Sequence, residues 1–159
     1  MSLLIRPVER EDLPAVATLL ARLADHVQPG KVPRAGVAEL ERYGPAGLGL
    51  FEALVAWRGE AAVGLCLYTY TFSGWRGRPG LRVEDLYVEP SERGGGLGRA
   101  LLAAALGREA DKGCAYVKLA VDRSNESGLG FYRRLGFTLE EHDHEMLIEG
   151  AALAALLDP

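Results

Sequence analysis

Cysteine and long apolar runs are the features that this 159-residue chain has least of. Cys66 and Cys114 are its only cysteines. Their spacing fits neither a metal site nor a disulfide framework, so both are expected to be buried thiols in a reducing compartment. No apolar run approaches the roughly 20 residues of a membrane-spanning helix, and the first residues lack the apolar stretch of a signal peptide. A cytoplasmic protein with no membrane partner is therefore expected.

Strong net charge is also missing. The formal net charge of −4 at pH 7 gives no general attraction to nucleic acid, so no nucleic-acid partner is expected. The histidines and acids at 142–145 lack a helical spacing suited to metal binding. They are interpreted as a surface turn, and no metal site is predicted. The composition, 48% hydrophobic and 25% charged, is typical of a globular chain.

The apolar pattern predicts alternating strands and helices, and therefore an α/β fold. Strands are expected at 3–8, 51–57, 61–72, 81–88, 115–121, 137–141 and 144–148, and helices at 11–24, 36–43, 97–112 and 125–135, with a short one at the end of the chain. Nothing repeats and no linker divides the sequence, so a single domain over residues 1–159 is expected.

The strand before the glycine-dense segment changes phase in its middle. Leu81 and Val83 place the apolar side on odd positions, whereas Leu86 and Val88 place it on even ones. Because side chains alternate across a strand, the change predicts one inserted residue, a β-bulge near residues 84–85. The alternative is a strand buried on both faces, in which case the phase has no meaning.

A glycine-dense segment follows that strand and opens an alanine- and leucine-rich helix. Residues 93–99 read Arg-Gly-Gly-Gly-Leu-Gly-Arg. A strand–loop–helix junction gathers backbone N–H groups at the positive end of a helix dipole, which suits a phosphate or pyrophosphate. The segment lacks both the Lys-Ser/Thr of a P-loop and the third glycine of the dinucleotide fingerprint. It fits Arg-x-x-Gly-x-Gly instead, on Arg93, Gly96 and Gly98.

Two separated segments resemble the GNAT superfamily of N-acetyltransferases. Residues 93–99 are similar to its acetyl-CoA pyrophosphate loop. Asn125 and residues 131–137, Phe-Tyr-Arg-Arg-Leu-Gly-Phe, are similar to the segment that completes its cofactor site. The resemblance implies a mixed, mostly antiparallel sheet with flanking helices and a splayed, bulged strand at the acetyl-CoA site. Within the superfamily, residues 64–77 and 83–88 are similar to the spermidine/spermine and thialysine acetyltransferase branch.

The resemblance also implies roles for individual residues. Acetyl passes directly from acetyl-CoA to an amine, with Glu84 as a base acting through water and Tyr132 as the acid for the leaving thiolate. Asp85 is the weaker candidate for the base, since a regular strand would point it to the opposite face. The implied cofactor-binding residues are Leu86, Tyr87, Val88, Arg93, Gly94, Gly95, Gly96, Leu97, Gly98, Arg99, Asn125, Ser127 and Tyr132. The candidates for amine binding are Glu84, Asp85, Trp75 and Tyr70.

The substrate expectation follows from two departures from that branch. Ser73 and Val27 stand where the branch has acidic residues, which favours a smaller amine or amino acid over a long polyamine. The expected function is N-acetylation of a small-molecule primary amine, such as a polyamine, diamine, thialysine-like or amino-acid amine, by a homodimer. The alternatives are acetylation of a peptide or protein amine, and a non-catalytic CoA-binding regulatory domain. The latter would need neither Glu84 nor Tyr132.

Overall fold

The computed structural model describes residues 1–157, which form two compact units, the first Met1–Asn125 and the second beginning at Glu126. The first unit contains β1 (Leu3–Pro7), α1 (Leu13–Val27), α2 (Val37–Tyr43), β2 (Glu52–Arg58), β3 (Ala61–Ser73), β4 (Arg78–Val88), α3 (Leu97–Arg108) and β5 (Val117–Leu119). The second contains α4 (Glu126–Arg134) and α5 (Gly150–Leu157). Among the described residues, every helix is too short or too polar to cross a bilayer.

The five strands of the first unit form one sheet in the order β1-β2-β3-β4-β5. The first three pairings along the sheet are antiparallel, and β4 pairs with β5 in parallel. Tight turns join β2 to β3 and β3 to β4, as an antiparallel pairing allows, whereas α3 crosses over between the parallel strands. The predicted mixed, mostly antiparallel sheet is confirmed.

Helices cover both faces of this sheet. Because side chains alternate along a strand, odd and even residues of β2 and β3 face opposite sides. The odd residues pack with buried leucines of α1, in a cluster that includes Leu13, Val16, Leu19, Leu20, Ala53, Val55, Leu65 and Leu67. On the other face lies α3, where Leu101 Cδ1 is 3.0 Å from the position that a Cβ on Gly64 would take. Each fully buried leucine contributes about 1.5–3 kcal/mol to this packing.

Two predicted strands are wrong. Residues 137–149 form no strand, and within them Met146 and Leu147 are 95% and 82% exposed. Apolar residues stabilise a strand only when they pack against a neighbouring strand and a core. Here the polar segment 140–145 separates Met146 and Leu147 from the apolar residues that precede it. The strand predicted at 115–121 is shorter than expected, and the predicted helix at 97–112 ends at Arg108 before a single turn, Ala110–Lys112.

Candidate functional site

Strand β4 contains the predicted β-bulge, centred on Glu84. In the pairing with β3, Leu67 lies opposite Asp85 and the next residue, Tyr68, lies opposite Val83. Glu84 is therefore the inserted residue. The insertion changes which face each later side chain occupies, and this is the origin of the phase change in the apolar pattern.

The bulge brings two carboxylates to one face of the sheet. Thr69 Oγ1 donates a hydrogen bond of 3.1 Å to Glu84 Oε1. Asp85 lies opposite Leu67, which shares a face with Thr69 because the two are separated by one residue. A regular strand would have pointed Asp85 to the opposite face from Glu84; the bulge removes that condition, and the two side chains share a face. Sequence reasoning did not foresee the bond between Thr69 and Glu84, because it follows only from the register of β3 against β4.

The two carboxylates differ in their surroundings. The Glu84 side chain is 38% exposed, and Arg82 Nε lies 3.5 Å from its Oε1. Asp85 is less exposed, and burial raises the pKa of its carboxyl, with the charge of Glu84 raising it further.

Burial likewise raises the pKa of the Cys66 thiol to about 12. Cys66 is therefore a protonated, buried thiol at neutral pH and has no nucleophilic role.

Strand β4 separates from β5 at the bulge. β5 pairs with Leu81, Arg82 and Val83 only, so residues 84–88 extend beyond its end. Within the described residues, the β4 edge that faces β5 is therefore not paired with β5 along 84–88. This is the expected splay, and it includes the backbone of the predicted cofactor-binding residues 86–88.

The glycine-dense segment connects β4 to α3 as predicted. Gly94 and Gly96 have φ angles of 81° and 85°, a left-handed conformation that L side chains rarely adopt. Gly96 is the N-cap of α3, and its carbonyl accepts a 3.0 Å hydrogen bond from the Ala100 N–H. N–H groups in the first turn of a helix have no acceptor within it, and the helix dipole there favours an anion.

Arg93 contributes to the shape of this loop. Its Nε donates a 2.9 Å hydrogen bond to the Val88 carbonyl, and its guanidinium lies 5.8 Å from the centre of the Tyr87 ring. Arg93 therefore fastens the loop to the end of β4. Arg99 is exposed on the first turn of α3, whereas the side chains of Tyr87 and Leu97 are buried, so these two offer only backbone groups to a ligand.

The predicted amine-binding aromatics are not gathered around Glu84. Tyr70 lies on the α3 face of β3, where Lys112 Nζ is 4.7 Å from its ring centre; Glu84 lies on the other face. Trp75 is fully exposed in the hairpin turn between β3 and β4. In the same turn Ser73 Oγ accepts a 3.2 Å hydrogen bond from the Arg76 N–H. Ser73, which stands where the resembled acetyltransferase branch has an acidic residue, therefore stabilises the turn in this protein.

Asn125 ends the first unit in a well-defined turn. Its N–H donates a 2.9 Å hydrogen bond to the Asp122 carbonyl. The Asp122 carboxylate in turn accepts hydrogen bonds from the Ser124 N–H at 2.8 Å and the Ser124 hydroxyl at 2.5 Å. This turn fixes the backbone of Asn125, which is predicted to bind the cofactor.

Tyr132 and Ser127 lie on α4 of the second unit, with Ser127 exposed. The Tyr132 ring packs edge-on between Phe131 and Phe137, at centroid distances of 5.0 Å and 5.4 Å. The Phe137 N–H donates to the Tyr132 carbonyl at 3.0 Å. Gly136, with φ of 95°, supplies a left-handed residue after the helix. Both of these ring contacts of Tyr132 are with aromatic side chains of the second unit.

Comparison with known proteins identifies the family. Residues 19–137 match the model described as the acetyltransferase (GNAT) family. Thialysine N-epsilon-acetyltransferase of Sus scrofa is 30% identical over 166 residues, covering 98% of this chain and 97% of that protein. The Bos taurus enzyme of the same name is 35% identical over 102 residues, 62% of this chain and 59% of that protein. Glucosamine 6-phosphate N-acetyltransferase of Trypanosoma brucei brucei is 30% identical, covering 91% and 94%.

Solved structures share the fold. An integron cassette protein from V. cholerae superimposes with a TM-score of 0.81 at 20% identity, covering 100% of this chain and 99% of that one. Ribosomal-protein-alanine N-acetyltransferase from Brucella melitensis biovar Abortus 2308 gives 0.74 at 21% identity, covering 92% and 100%. The bulged strand, the glycine loop and the match across most of the chain agree: the protein belongs to the GNAT family and is an acetyltransferase whose acetyl donor is acetyl-CoA.

Proposed function

We propose that the protein transfers acetyl from acetyl-CoA to the primary amine of a small molecule, by direct attack in a ternary complex. The observation that carries this proposal is the bulge of β4, which holds Glu84 and Asp85 on one face of the strand that leads, through one short turn, to the glycine loop. The full-length relatives named for thialysine and glucosamine 6-phosphate support a small-molecule acceptor.

Glu84 is the proposed base. An alkyl ammonium has a pKa near 10.4, so at pH 7 only about one molecule in a few thousand is neutral and able to attack. Glu84 accepts this proton through a water, while the hydroxyl of Thr69 orients the carboxylate. Asp85, on the same face, adds negative charge that attracts the ammonium form.

The glycine loop is the proposed seat of the pyrophosphate of acetyl-CoA. The main-chain N–H groups of residues 94–99 bind the anion at the start of α3, with charge from Arg93 and Arg99. The backbone of Leu86, Tyr87 and Val88 binds the thioester end, where an N–H stabilises the developing oxyanion. The open edge of β4 beyond its pairing with β5 supports this part of the proposal.

Tyr132 is the proposed acid for the leaving CoA thiolate, because a phenol is protonated at neutral pH. Asn125 and Ser127 are proposed to bind the pantetheine arm. These three assignments rest on the family pattern around residues 125–137. We further propose, on the same basis, that residues 1–159 form one functional domain and that the protein acts in the cytoplasm as a homodimer.

The test is acetyl-CoA-dependent thiol release against diamines, polyamines, lysine analogues, amino acids, amino sugars and short peptides. Glu84→Gln and Tyr132→Phe are expected to lower kcat by about 10²–10⁴-fold, whereas the matched control Glu60→Gln, in an exposed turn, leaves it unchanged. Turnover with peptides alone would favour the protein-acetyltransferase alternative. CoA binding without turnover of any acceptor would contradict the proposed function.

A further inference from the structure

Arg58 and Glu92 form a forked ion pair between the end of β2 and the segment before the glycine loop. Arg58 Nε and Nη2 donate to Glu92 Oε1 and Oε2, each at 2.7 Å. Arg58 Nη1 also donates to the Met1 carbonyl at 3.0 Å. The side chains are 39% and 18% exposed. A planar guanidinium that holds a carboxylate at two points fixes its orientation as well as its distance.

Glu92 belongs to the last turn before the loop, Pro90–Glu92. The Arg93 N–H donates to the Pro90 carbonyl at 3.3 Å. The carbonyl of Glu92 lies 3.7 Å from the position that a Cβ on Gly95 would take. The main chain of Glu92 therefore lies close to Gly95 of the loop, while its side chain is held by Arg58 of β2.

The start of the same turn is held separately. The Glu89 N–H donates to the Val63 carbonyl at 2.9 Å. The Glu89 carboxylate pairs with Arg22 of α1 and accepts a 3.3 Å hydrogen bond from the Tyr87 hydroxyl. Glycines have the greatest backbone freedom. The conformation of the glycine loop therefore depends on the residues before it, Glu89 and Glu92, which are held in place by these bonds. Apart from the bond of Arg93 to Val88 within the loop itself, the Arg58–Glu92 pair is the nearest attachment on its N-terminal side.

We propose that Arg58 and Glu92 are a positioning pair for binding of the pyrophosphate of acetyl-CoA. They act through the main chain, by holding the entrance of the loop so that its N–H groups converge on the anion. The inference rests on the proposed seat of the pyrophosphate on residues 93–99.

Positioning and simple charge make opposite predictions for Glu92. If only charge mattered, loss of the Arg58 charge would weaken binding of the anion and loss of the Glu92 charge would strengthen it. If the pair positions the loop, Arg58→Gln and Glu92→Gln both weaken binding, and by similar factors. The double variant then binds no more weakly than either single variant, because both remove the same interaction.

The experiment is calorimetric titration with CoA, which needs no acceptor and no turnover. We expect each single variant and the double variant to raise the Kd for CoA about tenfold, as a small displacement of binding groups does. Arg58→Lys, which keeps the charge but loses the fork, is expected to bind as weakly as Arg58→Gln. The matched control Arg10→Gln removes another surface pair, with Glu41 of α2, and should leave the Kd unchanged.

Kinetics supply a readout that a merely structural role would not move. The KM for acetyl-CoA should rise with kcat unchanged, whereas kcat/KM for S-acetylpantetheine, which lacks the pyrophosphate, should stay at the wild-type value. Tighter CoA binding by Glu92→Gln, or an unchanged Kd in both single variants, would overturn the proposal. If the wild-type protein does not bind CoA, both the proposed pyrophosphate site and the proposed role of Arg58 and Glu92 are overturned. CoA binding without acetyl transfer would reject the proposed reaction only, since the calorimetric test of the pair does not depend on it.

Discussion

The hydroxyl of Tyr68 in β3 donates a 2.7 Å hydrogen bond to Oε1 of Glu109, whose side chain is 2% exposed. Lys112 donates to the other carboxylate oxygen. Burial alone would raise the pKa of Glu109, but the hydrogen bonds from Lys112, Tyr68 and Tyr70 together hold it below its ordinary value. Glu109 directly follows α3. These bonds therefore attach the C-terminal end of α3, the helix that begins at the glycine loop, to the sheet.

Tyr68→Phe is expected to lower the free energy of unfolding by about 1–3 kcal/mol, because a buried carboxylate loses a donor and keeps its desolvation cost. Urea unfolding monitored by circular dichroism measures the change. Tyr43→Phe, which removes a hydroxyl from a partly exposed ring, is the control and should change little. Equal effects of the two substitutions would contradict the role assigned to the Tyr68 bond.

Asp85→Asn is expected to stabilise the protein at neutral pH. The folded-state pKa of Asp85 is raised, by burial first and by Glu84 second. A group raised in this way contributes stability that is complete below its unfolded pKa and is lost as pH rises through its folded pKa. The advantage of the uncharged variant should therefore grow as the pH rises above the unfolded pKa of about 4 and through the raised folded-state pKa.

Thermal unfolding at a series of pH values tests this, with Asp111→Asn, an exposed site, as the control. A stability difference between wild type and Asp85→Asn that stays constant with pH would mean that the carboxyl is not perturbed.

Thr69→Val is expected to lower kcat about threefold to tenfold, because the Glu84 carboxylate loses the hydroxyl that orients it. The KM for acetyl-CoA should not change, since Thr69 lies on β3 and not in the glycine loop. Steady-state kinetics with the best acceptor measure both constants. Thr71→Val, whose hydroxyl is bonded to Tyr116, is the matched control. An equal loss of kcat in both variants would argue against orientation of Glu84 by Thr69.

Gly96→Ala is expected to destabilise the protein by about 1–2 kcal/mol, because φ at Gly96 is 85° and an L residue is strained there. A Cβ at this site would meet nothing within 4 Å, so the effect comes from the backbone and not from crowding. Gly107→Ala in α3 is the control, and as a helical site with open space it should stabilise by about 0.5–1 kcal/mol. Chemical unfolding compares them, and a neutral Gly96→Ala would contradict the strain.

Local pattern was sufficient for the parts of the site that depend on local geometry. The change of phase between Val83 and Leu86 predicted the bulge, because side chains alternate along a regular strand and one inserted residue reverses the alternation. The left-handed residues of the loop and Gly136 were likewise predictable from glycine and its neighbours. The face of Asp85 could be predicted only for a regular strand, because the pattern does not show which residue of the bulge is the inserted one.

Features that depend on distant partners were not predictable. Arg58 and Glu92 meet only because the end of β2 lies beside the turn after β4. The burial of Glu109 depends on the Tyr68 hydroxyl above it, whereas a glutamate at a helix end ordinarily faces solvent. The prediction of strands within residues 137–149 was wrong for the same reason. The apolar pattern of a segment does not show whether a neighbouring strand is available to pair with it.

The bulge at Glu84 makes the length of β4 matter as much as its composition. Removal of Glu84 would restore regular alternation without turning either half of the strand over, because Val83 and Asp85 already lie opposite the consecutive residues Tyr68 and Leu67. The shortened strand would keep its packing but lose the inserted residue that places a second carboxylate on the face of Asp85. We therefore expect loss of this one residue to spare the fold and to abolish the arrangement of the two carboxylates.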